Sequence, residues 1–265
     1  MADDRGPTAL DQLPCVDADG IRTITFNRPE AKNAMSMAMR ARFCELLSDA
    51  EQASDIRAVI VTAVDPVFTA GVDFKEASSG NFARKWNAFD AQFAVNPGKA
   101  LRAMTKPVIC AVNGACVSGG LEVALSSSFV VASERARFAD THARLGVIAT
   151  WGLTALLPRA VGIRKAREMS VTGNFVSAEE ALRIGLVNHV VAHDELGSFA
   201  HKLASDVPAL GSIQEIMRLY LRGEGLSLAD ALALEAEHTV RRTFDARSFG
   251  ELGTATAKRG SQKAD

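Results

Sequence analysis

The sequence lacks an excess of charge of either sign. Its 30 lysines and arginines stand against 31 aspartates and glutamates, which gives a formal net charge of −1 at pH 7. A chain with this balance offers no general attraction to nucleic acid or to an anionic membrane surface. We therefore expect no nucleic-acid or membrane partner, and any anionic ligand must be bound by a local group of cationic side chains.

Cysteines are few, and they are not arranged as metal ligands or redox pairs. The four are Cys15, Cys44, Cys110 and Cys116, and no two of them form a CxxC motif. A free cysteine in an apolar stretch behaves as a small hydrophobic residue. The sequence therefore predicts reduced, packing cysteines and no structural metal.

Long apolar runs are also missing. No segment approaches the roughly 18 apolar residues of a membrane-spanning helix, and the polar segment 1–7 lacks the apolar centre of a signal peptide. Hydrophobic residues make up 48% of the chain and charged residues 23%, which is enough apolar material for a packed core. We expect a cytoplasmic protein.

Short apolar segments alternate with helical patterns over most of the chain, as in an α/β fold. Apolar residues recur at helical spacing from Met35 to Ala50, and a further helix is predicted at Trp151–Leu157. After about residue 194 only helical patterns occur. The predicted strands are Ile21–Phe26, Ala58–Ala63, Pro107–Val112, Phe129–Ala132 and Leu186–Val191.

Two glycine-containing turns stand where a predicted strand gives way to a helix. The first lies within Phe68–Glu76 and contains Gly71, and the second lies within Val112–Glu122 and contains Gly119. At such points backbone N–H groups are unpaired, and a residue without a side chain lets a ligand approach closely. Either turn alone is weak evidence, because ordinary tight turns have the same composition.

Together, and in this order, the two turns resemble the signature segments of the enoyl-CoA hydratase/isomerase (crotonase) family. Asn27–Ala34 resembles the NRP…NA turn of that family, and Val171–Val187 resembles its TG…A…A…GLV stretch. The resemblance covers nearly the whole chain. It implies an α/β fold in which a crotonase-like spiral of ββα units is followed by a C-terminal helical region.

The family likeness also implies a domain organisation and an assembly. Residues 1–14 are expected to form a loose tail, 15–195 the ββα-spiral acyl-CoA-binding core, and 196–265 a helical oligomerisation region of a homotrimer or hexamer. The segment Asp245–Gly250 matches the family ending only loosely. The implied substrate is a coenzyme A thioester, with no additional cofactor.

The resemblance further implies an oxyanion hole for the thioester carbonyl, with the backbone N–H groups of Val72 and Gly119 as its donors. Negative charge moves onto this oxygen when an enolate forms, and fixed N–H donors stabilise it with little reorganisation. The helix that begins at Gly119 adds a favourable dipole. Because the backbone supplies the donors, the side chain at position 72 is free to vary.

Glu122 and His142 occupy the two positions at which hydratases of this family carry catalytic glutamates. Glu122 matches the first of them; the alternative is a solvent-facing glutamate placed at a helix start for dipole reasons. The second position, four residues after Phe138, holds His142. Asp140 is interpreted as a helix N-cap together with Thr141 rather than as the missing acid.

A histidine at the second position leaves three possibilities open. Histidine titrates near neutrality and relays protons, so Glu122 and His142 can form an acid–base pair. His142 can instead only bind substrate, which leaves Glu122 to single-carboxylate chemistry such as double-bond isomerisation. The third possibility is a degraded site.

The family likeness implies that Lys32, Ala70 and Lys75 contact coenzyme A. Its phosphates need local cations, which the two lysines can supply, unless both are ordinary surface residues. Asp73 is interpreted as a helix cap. Aromatic residues at helical spacing are candidates for the wall of an acyl tunnel or for ordinary core: Phe82, Trp86, Phe89 and Phe93.

Three functional hypotheses follow. The first is an enoyl-CoA hydratase, the second an enoyl-CoA isomerase or another reaction of the same family, such as hydrolysis or decarboxylation. The third is an acyl-CoA-binding protein with little catalysis, suggested by the missing glutamate. A nucleotide-binding dehydrogenase is disfavoured, because Val117–Gly120 lacks the GxGxxG spacing.

Overall fold

Two β-sheets form the frame of the fold in the part of the chain that the structure describes. The computed structural model describes residues 8–78, 95–209 and 211–240. The six-stranded sheet and the four-stranded sheet are built from β1 (Cys15–Ala18), β2 (Ile21–Phe26), β3 (Ala58–Ala63), β4 (Val67–Thr69), β5 (Val108–Val112), β6 (Ala115–Val117), β7 (Phe129–Ser133), β8 (Arg137–Ala139), β9 (Val176–Ser177) and β10 (His189–Val191).

The larger sheet has the strand order β1-β2-β3-β5-β7-β10, and the smaller has the order β4-β6-β8-β9. Pairing is parallel throughout, except between β1 and β2 and between β8 and β9. Parallel strands require crossovers, which the helices between them supply.

The described helices connect and cover these sheets. They are α1 (Ala9–Gln12), α2 (Met37–Gln52), α3 (Phe74–Ser78), α4 (Pro97–Arg102), α5 (Gly119–Ser126), α6 (Leu153–Val161), α7 (Ile163–Thr172), α8 (Ala178–Arg183), α9 (Leu196–Ser205), α10 (Gly211–Gly223) and α11 (Leu228–Val240). Short 3-10 helices span Pro29–Ala31, Ala143–Leu145 and His193–Glu195. None of the helices in the described ranges is both long and apolar enough to cross a membrane.

The predicted central strands are confirmed. Strands β2 and β3 have the predicted bounds, β7 extends one residue further than predicted, and β5 begins one residue later. Every residue of β5 is buried, because this strand lies between neighbours and is covered on both faces. A continuous apolar run is the sequence pattern of such a strand.

Two apolar clusters cover opposite faces of the larger sheet. One joins inward residues of β2, β3, β5 and β7 to helix α2 and to the smaller sheet, and in it the ring of Phe26 contacts the rings of Phe43 and Phe68. The other places Ile60 and Ile109 beneath helix α9. Helix α9 therefore belongs to the core rather than to a separate appendage.

The chain divides later than the sequence suggested. One compact unit ends at Met217 and a second begins at Arg218, whereas the helical region was expected from residue 196. The difference arises because α9 packs on the sheet. In the second unit, α11 begins after Ser227, whose hydroxyl accepts the backbone N–H of Asp230 at 3.2 Å.

Three local expectations need correction. Part of the expected loose tail forms helix α1, which ends next to the buried Leu13. The helix expected at Trp151 begins at Leu153, because Gly152 has a φ of 120° and cannot continue a helix. Strand β10 is shorter than predicted, since Leu186 is buried in the preceding turn rather than in a ladder.

The buried face of helix α2 yields a stability prediction. Leu47 is 1% exposed, so Leu47→Ala should lower the free energy of unfolding by about 2 to 5 kcal/mol through lost burial and a cavity. Leu182 lies in helix α8 and is 45% exposed, so Leu182→Ala should change it by less than about 0.5 kcal/mol. Urea unfolding of both variants measures the contrast, and equal losses would contradict this account of the core.

Candidate active site

The two glycine turns lie against each other. Gly71 follows β4 and has a φ of 89°, and Gly119 is the first residue of α5. A Cβ atom on Gly71 would lie 2.8 Å from the Gly119 nitrogen and 3.3 Å from its Cα. Both the backbone conformation and the close approach therefore require glycine at position 71.

The backbone N–H groups of Val72 and Gly119 have no hydrogen-bond acceptor among the described residues. The next N–H along the chain from Val72 does have a partner: that of Asp73 donates to the carbonyl of Met35 at 3.1 Å. The Gly119 N–H is unpaired because it belongs to the first turn of a helix. The two unpaired donors thus belong to turns that contact each other.

The side chain of Glu122 is buried, not exposed to solvent. It is 2% exposed, so the alternative of a surface glutamate at a helix start is wrong. Its Oε1 accepts the backbone N–H of Trp151 at 2.6 Å and that of Leu153 at 3.3 Å. Burial raises the pKa of Glu122, and this effect outweighs the lowering by nearby His142 and the two N–H donors.

His142 lies between two carboxyl groups. Its Nε2 is 3.8 Å from Oε2 of Glu122, and its Nδ1 is 2.6 Å from Oδ1 of Asp140. The sequence motif thus predicted two residues, Glu122 and His142, that the fold brings together. A separation of 3.8 Å is too long for a direct hydrogen bond, but it allows one small molecule to contact both side chains.

Asp140 does not have the role expected of it. It was interpreted as a helix N-cap with Thr141, yet the next 3-10 helix begins only after His142. Instead Oδ1 of Asp140 lies 2.6 Å from the ring Nδ1 of His142 and accepts the backbone N–H of His142 at 3.2 Å. The interpretation failed because a cap and a side-chain partner two residues away give the same sequence pattern.

Hydrogen bonds tie the His142 loop to the second glycine turn. The Ser118 hydroxyl accepts the backbone N–H of Thr141 at 3.0 Å and lies 2.7 Å from the Thr141 hydroxyl. The Ser118 N–H donates to the carbonyl of Ala139 at 2.9 Å. Ser118 has a φ of 48°, a conformation that is unfavourable without glycine and that these bonds maintain.

Comparison with known protein families identifies the family to which the chain is similar. The family described as enoyl-CoA hydratase/isomerase matches residues 17–247. The chain belongs to the enoyl-CoA hydratase/isomerase family.

Relatives in this family match along most of their length. The chain is 34% identical over 251 residues to the probable enoyl-CoA hydratase 1, peroxisomal, of Arabidopsis thaliana, with 93% of each chain covered. It is 34% identical over 225 residues to the short-chain-enoyl-CoA hydratase of Clostridium acetobutylicum, covering 82% of this chain and 84% of the relative.

Solved structures of enoyl-CoA hydratases share the fold. One from Mycobacterium tuberculosis H37Rv is 45% identical with a TM-score of 0.73, and the match covers 85% of this chain and 96% of that one. Another, from Bacillus anthracis, is 26% identical with a TM-score of 0.85, covering 93% and 96%. The predicted family and its crotonase-like α/β fold are therefore confirmed.

The residues expected to contact coenzyme A line the first glycine turn of this family member. The carbonyl of Lys32 accepts the N–H of Ala70 at 3.1 Å, and the Lys32 and Lys75 side chains are both exposed. Asp73 caps helix α3 as predicted, accepting the N–H of Lys75 at 2.9 Å and that of Glu76 at 3.2 Å. The aromatic residues proposed for an acyl tunnel, Phe82, Trp86, Phe89 and Phe93, lie outside the described residues.

Trp151 is a site residue that the sequence did not reveal. Its backbone orients Glu122, and its ring lies against Gly119, where an added Cβ would be 2.9 Å from Cζ3. The guanidinium of the buried Arg40 stands 5.8 Å from the centre of this ring. The sequence pattern assigned Trp151 to a helix. Its role is visible only from its contact with Glu122 in the folded structure, because no motif contains it.

The raised pKa of Glu122 predicts how stability depends on pH. The folded protein holds this proton more tightly than the unfolded chain, so wild-type stability falls as pH rises from about 4.3, the ordinary glutamate value, through the higher folded value. Glu122→Gln removes this loss. The unfolding free energy of the variant minus that of wild type should therefore increase across that interval and become level above it.

Urea unfolding at a series of pH values measures this difference, and Glu180→Gln provides a control of opposite sign. A hydrogen bond from Arg183 lowers the pKa of Glu180, so wild type gains stability from that carboxylate as pH rises to the ordinary glutamate value. The difference for Glu180→Gln should fall with rising pH. A flat or falling difference for Glu122→Gln would show that burial does not raise its pKa.

Proposed function

We propose that this protein is an enoyl-CoA hydratase that adds water across the double bond of a 2-enoyl-CoA thioester. One observation carries the proposal: the unpaired backbone N–H groups of Val72 and Gly119 belong to two turns in contact, and the second turn opens the helix of the buried Glu122, which faces His142. This combination provides two N–H donors for the thioester oxygen and two side chains that can move the protons of the reaction.

The first requirement of hydration is stabilisation of an enolate. When water oxygen bonds to the β-carbon, the electrons of the double bond move through the α-carbon to the thioester oxygen. The N–H groups of Val72 and Gly119 would donate to that oxygen. Each such donor typically contributes about 3 to 4 kcal/mol of transition-state stabilisation, and the N-terminal dipole of α5 favours the same charge.

The second requirement is a group that delivers a proton to the α-carbon. Glu122 is suited to this, because its raised pKa increases the protonated fraction near neutrality. Its Oε1 is held by the N–H groups of Trp151 and Leu153, which leaves Oε2 directed toward His142 at 3.8 Å. Oε2 is therefore the oxygen that would carry the transferred proton.

The third requirement is a base for water, and His142 would fill this role in place of a second glutamate. An unprotonated ring nitrogen accepts a proton near neutral pH. A water oxygen placed about 2.8 Å from both Nε2 and Oε2 fits a pair of atoms at this spacing.

Substrate binding, assembly and location remain predictions of the proposal. Lys32 and Lys75 would pair with the phosphates of coenzyme A. Ala70, whose N–H donates to the carbonyl of Lys32, would contact coenzyme A through its backbone. We expect a cytoplasmic homotrimer or hexamer with no cofactor besides the thioester substrate.

One observation favours a second candidate, an enoyl-CoA isomerase. Isomerisation needs a single group that moves a proton between two carbons, and Glu122 lies three residues after the Gly119 donor, in the first turn of helix α5. If His142 only binds substrate, the same oxyanion hole would serve a 3-enoyl-CoA.

A substrate panel separates the two functions. Wild type should consume short-chain and long-chain 2-enoyl-CoA with loss of the conjugated-enoyl absorbance, and Glu122→Gln should lower kcat by about 10² to 10⁴. Incubation with a 3-enoyl-CoA tests isomerisation. Conversion of that substrate without hydration would favour the isomerase, and tight acyl-CoA binding with no turnover of either would favour a binding protein.

The contact between the glycine turns yields a further prediction. Gly71→Ala places a Cβ against the Gly119 nitrogen, which should displace one donor and lower kcat by about 10² to 10³. Gly162→Ala is the matched control: Gly162 also has a positive φ, of 78°, but nothing lies within 4 Å of an added Cβ. Both substitutions place a side chain at a positive φ, so equal activities would argue against the proposed oxyanion hole.

A further inference from the structure

Asp140 is a buried carboxylate that the proposed reaction does not yet use. It is 3% exposed, and its Oδ1 contacts His142 twice, through the ring Nδ1 at 2.6 Å and the backbone N–H at 3.2 Å. His142 is thus held at its backbone and at its ring, so its side chain has little freedom to rotate.

The charge state of Asp140 follows from its partners. Burial alone raises the pKa of Asp140, but hydrogen bonds with His142 and Ser170 outweigh burial and bring this pKa below its ordinary value. Asp140 is therefore ionised near neutrality and can only accept hydrogen bonds. The proton of a neutral His142 ring must then reside on Nδ1, which leaves Nε2 unprotonated and facing Glu122.

We propose that Asp140 is a positioning residue that fixes the ring and the tautomer of His142, so that Nε2 serves as the base for the water added to the substrate. The inference rests on the proposed hydratase function and names the group that replaces the second glutamate. A histidine alone at this position would be free to present either nitrogen.

The resulting step balances in atoms and charge. Nε2 of His142 takes one proton from water as the oxygen bonds to the β-carbon of the enoyl thioester, and the π electrons pass to the thioester oxygen. The enolate then takes the proton of Glu122 at its α-carbon. A water molecule between Nε2 and Oε2, which are 3.8 Å apart, then relays the proton of the imidazolium back to Glu122, and Asp140 stabilises the imidazolium while it lasts.

The charged groups that act on His142 come from two neighbours, Glu122 of α5 and Asp140 itself. Helix α7 packs against the 3-10 helix that follows His142 and contributes the hydroxyl of Ser170 to Asp140. Arg144 is engaged by a backbone carbonyl at the end of α7, through a bond of 2.6 Å. The charged residues of α7 itself are Arg164, Lys165, Arg167 and Glu168.

The test compares hydration by wild type, Asp140→Asn, His142→Ala and the double variant. Asp140→Asn should lower kcat by about 10² or more with little change in KM, because Asp140 acts on water only through His142. For the same reason the double variant should be no slower than His142→Ala alone. The pH dependence of kcat should also differ between Asp140→Asn and wild type, because the variant lacks the carboxylate whose lowered pKa keeps it ionised beside the ring.

A second aspartate–histidine pair supplies the matched control. Oδ2 of Asp65 lies 3.0 Å from Nε2 of His193, and among the described residues this pair shares no hydrogen bond with Glu122, Asp140 or His142. Asp65→Asn removes the same kind of contact outside the hydrogen-bond network of His142. This variant should therefore retain the wild-type rate and pH profile.

A measurement on the wild type avoids dependence on how the variants fold. Nitrogen-15 NMR of ring-labelled histidine, with the His142 signals assigned by their loss in His142→Ala, should show a protonated Nδ1 and an unprotonated Nε2 at neutral pH. The opposite tautomer would overturn the proposal, as would an Asp140→Asn variant with the wild-type rate and pH profile. Absence of hydration by wild type would instead reject the proposed function.

Discussion

Contact between two backbone turns is the constraint on which the site depends. Gly71 and Gly119 approach so closely that a Cβ on the first would meet the nitrogen of the second at 2.8 Å. Each turn follows a strand of the smaller sheet, β4 and β6, which pair in parallel. Sheet pairing therefore sets the distance between two unpaired N–H groups, and no side chain is required to define it.

Burial gives the neighbouring carboxyl its chemistry. Glu122 lies in the first turn of α5 and is covered by the segment around Trp151, which also contacts Gly119. The packing of this segment against the turn at Gly119 thus also removes Glu122 from water, and burial raises the pKa of Glu122. His142, held by Asp140, supplies the second titratable group. Fold, burial and acid–base properties are linked through a few contacts.

The sequence predicted the strands and the motif residues, but not the contacts between distant segments. The continuous apolar run at Ala58–Ala63 is a strand with the predicted bounds, because burial on both faces leaves a clear pattern. The family motifs likewise pointed to Glu122 and His142, whose side chains the fold places 3.8 Å apart. The bond from the Trp151 backbone to Glu122 joins residues 29 apart and leaves no trace in side-chain pattern, and Asp140 was mistaken for a cap because both roles suit an aspartate in a loop.

The most direct test of the account is a crystal structure of the protein with an unreactive 2-enoyl-CoA analogue. The account predicts that the thioester oxygen lies roughly 2.7 to 3.1 Å from the backbone nitrogens of both Val72 and Gly119, with the β-carbon facing the space between Glu122 and His142. A thioester oxygen that contacts neither nitrogen, or an acyl chain that turns away from Glu122, would contradict it.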